Sequence, residues 1–214
     1  MPDLSTLPPD ELAALIADVH FYSGPYGQRL AYHEFGDPAG EPILFFHGTG
    51  SHVHGLLLHK PARDLGLRII APDRPGVGKS DYRPGWTVLD HADDLAGLLD
   101  RLGLERVGAL GVSGGGPSLL AMAYRYPQRL RYVVSLACVM PVLADPEYGR
   151  EVGPAVRLMG RLAASLPLAL FRLPYALLGW LQTRLKSPAA FARLFDSSLC
   201  PADKAIFRDP GYRH

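Results

Sequence analysis

Four short runs of consecutive apolar residues mark the first two thirds of the chain: Pro42-Ile43-Leu44-Phe45-Phe46, Leu67-Arg68-Ile69-Ile70-Ala71, Arg106-Val107-Gly108-Ala109-Leu110 and Tyr132-Val133-Val134-Ser135-Leu136-Ala137. They are continuous rather than alternating, which is how a strand covered on both faces reads. Between the last three the period becomes helical. Leu89, Ala92, Leu95, Ala96, Leu99 and Leu102 share one face of the segment from Val88 to Leu102, and a second helical pattern runs from Pro117 to Tyr126. Strands alternating with helices predict an α/β fold with a mostly parallel sheet and helices on both faces.

Upstream, the segment from Val19 to Phe35 holds two β-rich pieces separated by Gly24-Pro25-Tyr26-Gly27, a turn signal that predicts an antiparallel pair of edge strands. Pro8-Pro9-Asp10-Glu11 before Leu12-Ala13-Ala14-Leu15-Ile16 predicts a short peripheral helix. After Met140-Pro141 the character changes. Residues from Tyr148 to Leu185 are rich in Leu, Ala and Arg, with no convincing buried strand. The expected organisation is an N-terminal helical arm over 1–18, an α/β core over 19–140 and an α-helical cap over 141–214.

Composition narrows the function classes. The 214 residues carry 22 Lys and Arg against 21 Asp and Glu, a formal net charge of +1, so no global field gathers nucleic acid. The cap region alone is basic, with Arg150, Arg157, Arg161, Arg172, Arg184, Lys186 and Arg193 against Glu151. Arg157, Arg161, Arg172, Pro167 and Pro174 interrupt its apolar stretch before it reaches the roughly 18 residues a bilayer span needs. Membrane surfaces are not expected partners. The N-terminus has no basic segment leading to an apolar core and cleavage site, and Cys138 and Cys200 form no framework or CxxC pair, so the expected compartment is the cytoplasm.

The candidate chemistry lies where strand meets helix. Gly111-Val112-Ser113-Gly114-Gly115 follows a predicted strand directly and precedes a helix with Pro117 in its first turn. In such a turn a nucleophile is held in a strained conformation, and the residues two before and two after it must be small, as Gly111 and Gly115 are. Ser113 would stand at the carboxyl edge of the sheet above a helix N-terminus, where developing negative charge is favoured. Gly78-Lys79-Ser80 suggests a phosphate loop, but GxxxxGK[ST] requires glycine where Asp73 stands, and no helix can start before Pro84-Gly85. His52-x-His54 lacks a carboxylate or cysteine at matching spacing, so no metal is expected. No cofactor motif is found. His52, His54 and His59 read as surface histidines, and His91, among Asp90, Asp93 and Asp94, reads as solvent-exposed.

Three motifs, in order, resemble the α/β-hydrolase family: His47-Gly48-Thr49-Gly50 after the first central strand, Asp73-Arg74-Pro75-Gly76-Val77-Gly78-Lys79-Ser80 after the second, and the turn at Ser113. The resemblance spans roughly residues 20 to 140 and is closest to the capped, serine-nucleophile members. It implies that Ser113 is the nucleophile, that the N–H groups of Thr49 and Gly114 form the oxyanion hole, and that His47 is structural. Serine rather than aspartate at the turn implies acyl transfer, the hydrolysis of an ester, thioester, amide or lactone of a small apolar molecule.

The same resemblance implies an acid and then a histidine downstream of the serine. His214, the terminal residue, is the only later histidine; Asp145 is the acid candidate by position. Two further βα units would ordinarily follow the cap, so the expectation is a chain truncated before its acid and histidine, incomplete at the C-terminal end of the sheet. The alternative is a catalytically inactive hydrolase-like module that binds or dimerises. The expected partners are a small-molecule substrate and a second copy of the chain, through an exposed sheet edge or the cap.

Overall fold

A computed structural model describes residues 7–50, 52–138 and 154–167, with single helical positions at 170, 173, 176, 177, 180 and 184. Residues 1–141 and 142–214 form two compact units.

The first unit is built on a six-stranded sheet of β1 (His20–Ser23), β2 (Arg29–Gly36), β3 (Glu41–Phe46), β4 (Leu67–Pro72), β5 (Val107–Val112) and β6 (Leu130–Leu136), in the spatial order β1-β2-β4-β3-β5-β6. The four strands from β4 to β6 run parallel, while β1 and β2 are antiparallel. The fold class read from the apolar runs is the observed one. The antiparallel pair differs in one respect: β1 is the edge, but β2 pairs on both sides, with β1 and with β4, and its residues are mostly buried. Its alternation of Leu, Tyr and Glu looks like an edge, yet β4 covers it.

Successive side chains of a strand point to opposite faces, and β3 and β4 use this to feed two cores. Leu44, Phe46 and Ile70 join Val107 and Ala109 under Leu95, Leu98 and Leu99 of α4 (Val88–Arg101) and Leu119 and Met122 of α5 (Gly116–Arg125). Ile43, Phe45, Ile69 and Ala71 pack on the other face with Leu56 of α2 (Val53–Leu56), Ala62 of α3 (His59–Asp64) and, at its margin, Leu12 and Leu15 of α1 (Pro9–Ala17). Helix α4 starts where it does because of a capping box: the Asp90 N–H donates to Thr87 Oγ1 at 3.2 Å, and the Thr87 N–H donates to the Asp90 carboxylate at 2.8 Å.

Strand β6 departs from the expectation of a strand covered on both faces. It pairs with β5 alone among the described residues, and Tyr132, Val133, Val134 and Leu136 are exposed. An apolar run signals the capacity for two-sided burial; whether neighbours supply it is a tertiary matter.

In the second unit the described residues form α6 (Pro154–Ser165), where Leu158 and Leu162 are exposed, and a contact farther along places the Arg184 guanidinium 5.4 Å from the centre of the Trp180 ring. No helix among the described residues is long and apolar enough to cross a membrane.

Candidate active site

The turn after β5 has the geometry that its sequence requires. Val112 is still extended, with φ −127° and ψ 133°, and Ser113 then takes φ 49°, a left-handed conformation rarely adopted by residues with side chains. A 3-10 turn over Ser113–Gly115 leads straight into α5. Holding a non-glycine residue there costs on the order of 1–3 kcal/mol, and the surroundings must enforce it. They do so by leaving no room elsewhere. A Cβ on Gly111 would come within 2.7 Å of Leu119 Cδ2, and one on Gly115 would run into the Phe46 backbone and within 2.9 Å of the His47 carbonyl oxygen. The end of β3 therefore lies directly against the 3-10 turn at Gly115.

The turn after β3 meets this point from the neighbouring strand. His47 and Gly48 are buried and Thr49 is exposed. A Cβ at Gly114 would stand 3.3 Å from Thr49 N and 3.1 Å from Thr49 Oγ1, so Thr49 lies against Gly114, the residue after Ser113. Among the described residues, no acceptor takes the Thr49 N–H. The Gly114 N–H opens the turn that becomes α5, where no preceding turn supplies an acceptor.

The third motif supports the second. Arg74 donates from Nη1 to the His47 carbonyl at 2.6 Å and from Nη2 to the Gly48 carbonyl at 2.9 Å. Asp73 beside it is fully buried. Its carboxylate accepts from the His52 N–H and from His52 Nδ1, each at 2.8 Å, and from the Lys79 N–H at 3.1 Å. Because a carboxylate only accepts, the His52 ring carries its proton on Nδ1. Burial works against the charged form of Asp73, but the His52 side chain, the His52 N–H and the Lys79 N–H outweigh it and hold the carboxyl below its ordinary value. Gly78, at φ +57°, is the residue that lets the backbone close over this carboxylate. Ser80 Oγ completes the loop, donating to the Asp73 carbonyl at 2.9 Å and accepting from the Ala31 N–H at 3.0 Å.

Three histidines correct the sequence reading, while the side chain of His54 lies outside the described residues. His52 is buried, bonded to Asp73 and stacked on His33 with ring centres 3.6 Å apart. His59 is also buried: its Nδ1 accepts from the Gly36 N–H at 3.1 Å, and its Nε2 faces Glu11 at 3.6 Å. His91 is not exposed but 1% accessible, with Nδ1 3.1 Å from Ser118 Oγ. Burial, with Arg74 and His47 adding repulsion, pushes His91 down to about 3, and burial beside His52 pushes His33 down to about 4. Both are neutral near pH 7. His91 and Ser118 line a recess with Phe45, Phe46, His47, Pro72 and Arg74 that is too narrow for a water molecule, so it is packing beneath the site rather than a substrate pocket. A helical pattern shows which face is apolar but not that a serine on the next helix will meet an imidazole there.

The His52–Asp73 pair stands over the end of β4, which is separated from β5 by β3. Two strand spacings amount to about 10 Å, beyond proton-transfer reach of Ser113. Among the described residues no histidine hydrogen-bonds to Ser113. Asp145 and His214 lie outside the described residues. No group of three or more His, Cys, Asp or Glu is placed to hold a metal ion among the described residues.

Sheet order and the turn at Ser113 are those of the α/β-hydrolase fold, and comparison with known proteins agrees. The family model for the alpha/beta hydrolase fold matches residues 30–201, and the chain belongs to that family. A 2-hydroxy-6-oxo-2,4-heptadienoate hydrolase of Pseudomonas putida is 37% identical over 118 residues, covering 53% of this chain and 42% of that protein. An alpha/beta hydrolase fold protein from Nakamurella multipartita superposes with a TM-score of 0.52 at 38% identity, over 57% of this chain and 42% of that one. A thermophilic esterase from Thermogutta terrifontis gives 0.52 at 31% identity, over 57% and 46%. The matches thus span less than half the length of these relatives.

Proposed function

We propose that this chain carries the nucleophile and oxyanion-binding portion of a serine acyl-transfer site, with Ser113 as nucleophile and the N–H groups of Thr49 and Gly114 as donors. The observation that carries the reading is the left-handed backbone of Ser113 at the β5–α5 junction, a strained conformation held open by Gly111 and Gly115. Ser113 Oγ attacks a carbonyl carbon while its hydroxyl proton passes to a general base supplied from outside the described residues; the carbonyl oxygen gains the negative charge and accepts hydrogen bonds from Thr49 and Gly114; collapse expels the leaving group, which takes up that proton, and leaves an acyl ester on Ser113 that water then hydrolyses. The substrate class is a small apolar ester, thioester, amide or lactone. The test is labelling of the 214-residue chain with a fluorophosphonate, followed by peptide mass mapping. The expected adduct lies on Ser113 and is lost in Ser113→Ala; equal labelling of that variant would sink the assignment.

A second reading, a hydrolase-like module that binds or dimerises without turnover, is favoured by the apolar edge of β6, where Tyr132, Val133, Val134 and Leu136 are exposed. It predicts a dimer in sedimentation velocity that dissociates in Val134→Lys, with no ester turnover between about pH 5 and pH 9. A monomer would remove its basis.

A further inference from the structure

We propose that Arg74 is the positioning residue of the oxyanion donor, acting on Thr49 through the peptide bonds of His47 and Gly48. The inference rests on the acyl-transfer reading of Ser113 and adds to it a residue outside the nucleophile turn. Its guanidinium fork pins two consecutive carbonyls, His47 O at 2.6 Å and Gly48 O at 2.9 Å. His47 Nδ1 is a further partner of the Gly48 carbonyl at 3.0 Å. The peptide bonds are trans, and in a trans peptide C=O and N–H point in opposite directions. Fixing the Gly48 carbonyl toward Arg74 therefore turns the Thr49 N–H away from it. Gly114 adjoins this same peptide, the place of a Gly114 Cβ lying 3.3 Å from Thr49 N and 3.5 Å from the Gly48 carbonyl carbon.

Consecutive carbonyls drawn to one side leave consecutive N–H groups on the other, the arrangement that makes a backbone concavity for an anion. Left to itself, the Gly48 peptide could rotate, because glycine permits it. Arg74 removes that freedom. The arginine is held in turn: it neighbours Asp73, whose carboxylate is anchored by His52 and Lys79, and it is half-buried among His47, Pro72 and His91. Lysine has donors enough for both carbonyls but offers them from one rotating point, whereas the guanidinium holds them in a fixed planar fork.

Arg74 touches neither the acyl group nor Ser113, so its effect must appear in the chemical step. Fluorophosphonate inactivation of the full chain, analysed as KI and kinact, separates the two. Arg74→Met is expected to lower kinact about 100-fold, the low end of the loss of one oxyanion donor, with KI within about twofold. Arg74→Lys is expected to recover part of the rate and keeps the test alive if Arg74→Met does not fold. In 15N-labelled wild type the Thr49 amide resonance should move on phosphonylation, and this movement should shrink in Arg74→Lys. Wild-type kinact in Arg74→Met, or in Arg74→Lys together with an unaltered Thr49 response, overturns the proposal. A wild type labelled no faster than Ser113→Ala overturns the acyl-transfer reading itself and the positioning role with it, an outcome distinct from labelled wild type with indifferent Arg74 variants.

Discussion

Strands β4 and β6 have near-equivalent apolar runs, Ile69-Ile70 in one and Val133-Val134 in the other, but opposite environments. Ile69 and Ile70 are 2% and 0% accessible, whereas Val133 and Val134 are 44% and 40%. Strand β4 lies between β2 and β3, and its two faces feed two separate cores. Strand β6 has one strand neighbour among the described residues. A β-branched run on a sheet is thus an offer of burial that neighbours accept or leave, and stability should follow the neighbours rather than the residue type.

Mutation tests that contrast directly. Ile70→Ala should cost about 2–5 kcal/mol in urea unfolding, because the side chain lies between β4 and α4 with little room to collapse. Val134→Ala should cost under about 1 kcal/mol, as an exposed truncation loses little transfer energy. Equal losses would erase the distinction. Next in size, Asp73→Ala leaves the His52 N–H, His52 Nδ1–H and Lys79 N–H without their acceptor. The expected loss is about 3 kcal/mol by the same assay.

The histidines extend the comparison to pH. His33 and His91 have folded-state values of about 4 and about 3, below the ordinary 6.5, so the unfolded chain takes up protons that the folded chain refuses. Their contribution is full above pH 6.5 and falls as pH drops toward the folded values, by at most ~1.4 kcal/mol per unit for each. Asp94, raised to about 6 chiefly by burial, works the other way: its folded form binds a proton between the ordinary carboxylate value and 6, which favours folding as pH drops. His59, also held below its ordinary value by burial, adds to the histidine side, and three groups against one leave a net loss of stability from pH 6.5 toward 4, which urea midpoints measured across that range should show. His91→Gln should flatten the slope; an unchanged slope would assign the acid sensitivity elsewhere. The smallest effect belongs to the surface. Arg131 on β6 pairs with Glu41 on β3, and Arg131→Ala should shift the midpoint by no more than about 1 kcal/mol, with the shift vanishing in high salt.

Much of the fold was legible because burial on two faces imposes a local signature, a run of apolar residues bounded by turns. The β3, β4 and β5 strands, α4 and the turn at Ser113 all announce themselves within about a dozen residues. What was not legible depends on distant partners. His52 is buried because Asp73, 21 residues later, accepts from it, His59 because it takes the Gly36 N–H, and His91 because it meets Ser118 on another helix. A histidine's neighbours in sequence say nothing of these. Strand β2 reads as an edge for the same reason, since β4 arrives beside it only after an intervening strand and two short helices. The sequence did contain one usable clue to the Arg74 clamp. The motifs at His47 and Asp73 follow adjacent parallel strands, so their loops emerge side by side.

The two parts of the proposed site differ in how far along the chain their contacts reach, and this has a kinetic consequence. The nucleophile turn has one anchor within its own βα unit, Leu119 against Gly111, beside its distant one at Phe46. The donor turn is fixed by Arg74, 27 residues from His47 and 26 from Gly48, through a loop that also needs Ala31 of β2. Local contacts close early and distant ones late. During refolding the serine elbow should therefore acquire amide protection before the turn that carries Thr49, so that for a brief interval the chain presents the proposed nucleophile without the turn proposed to cradle the charge its attack would create.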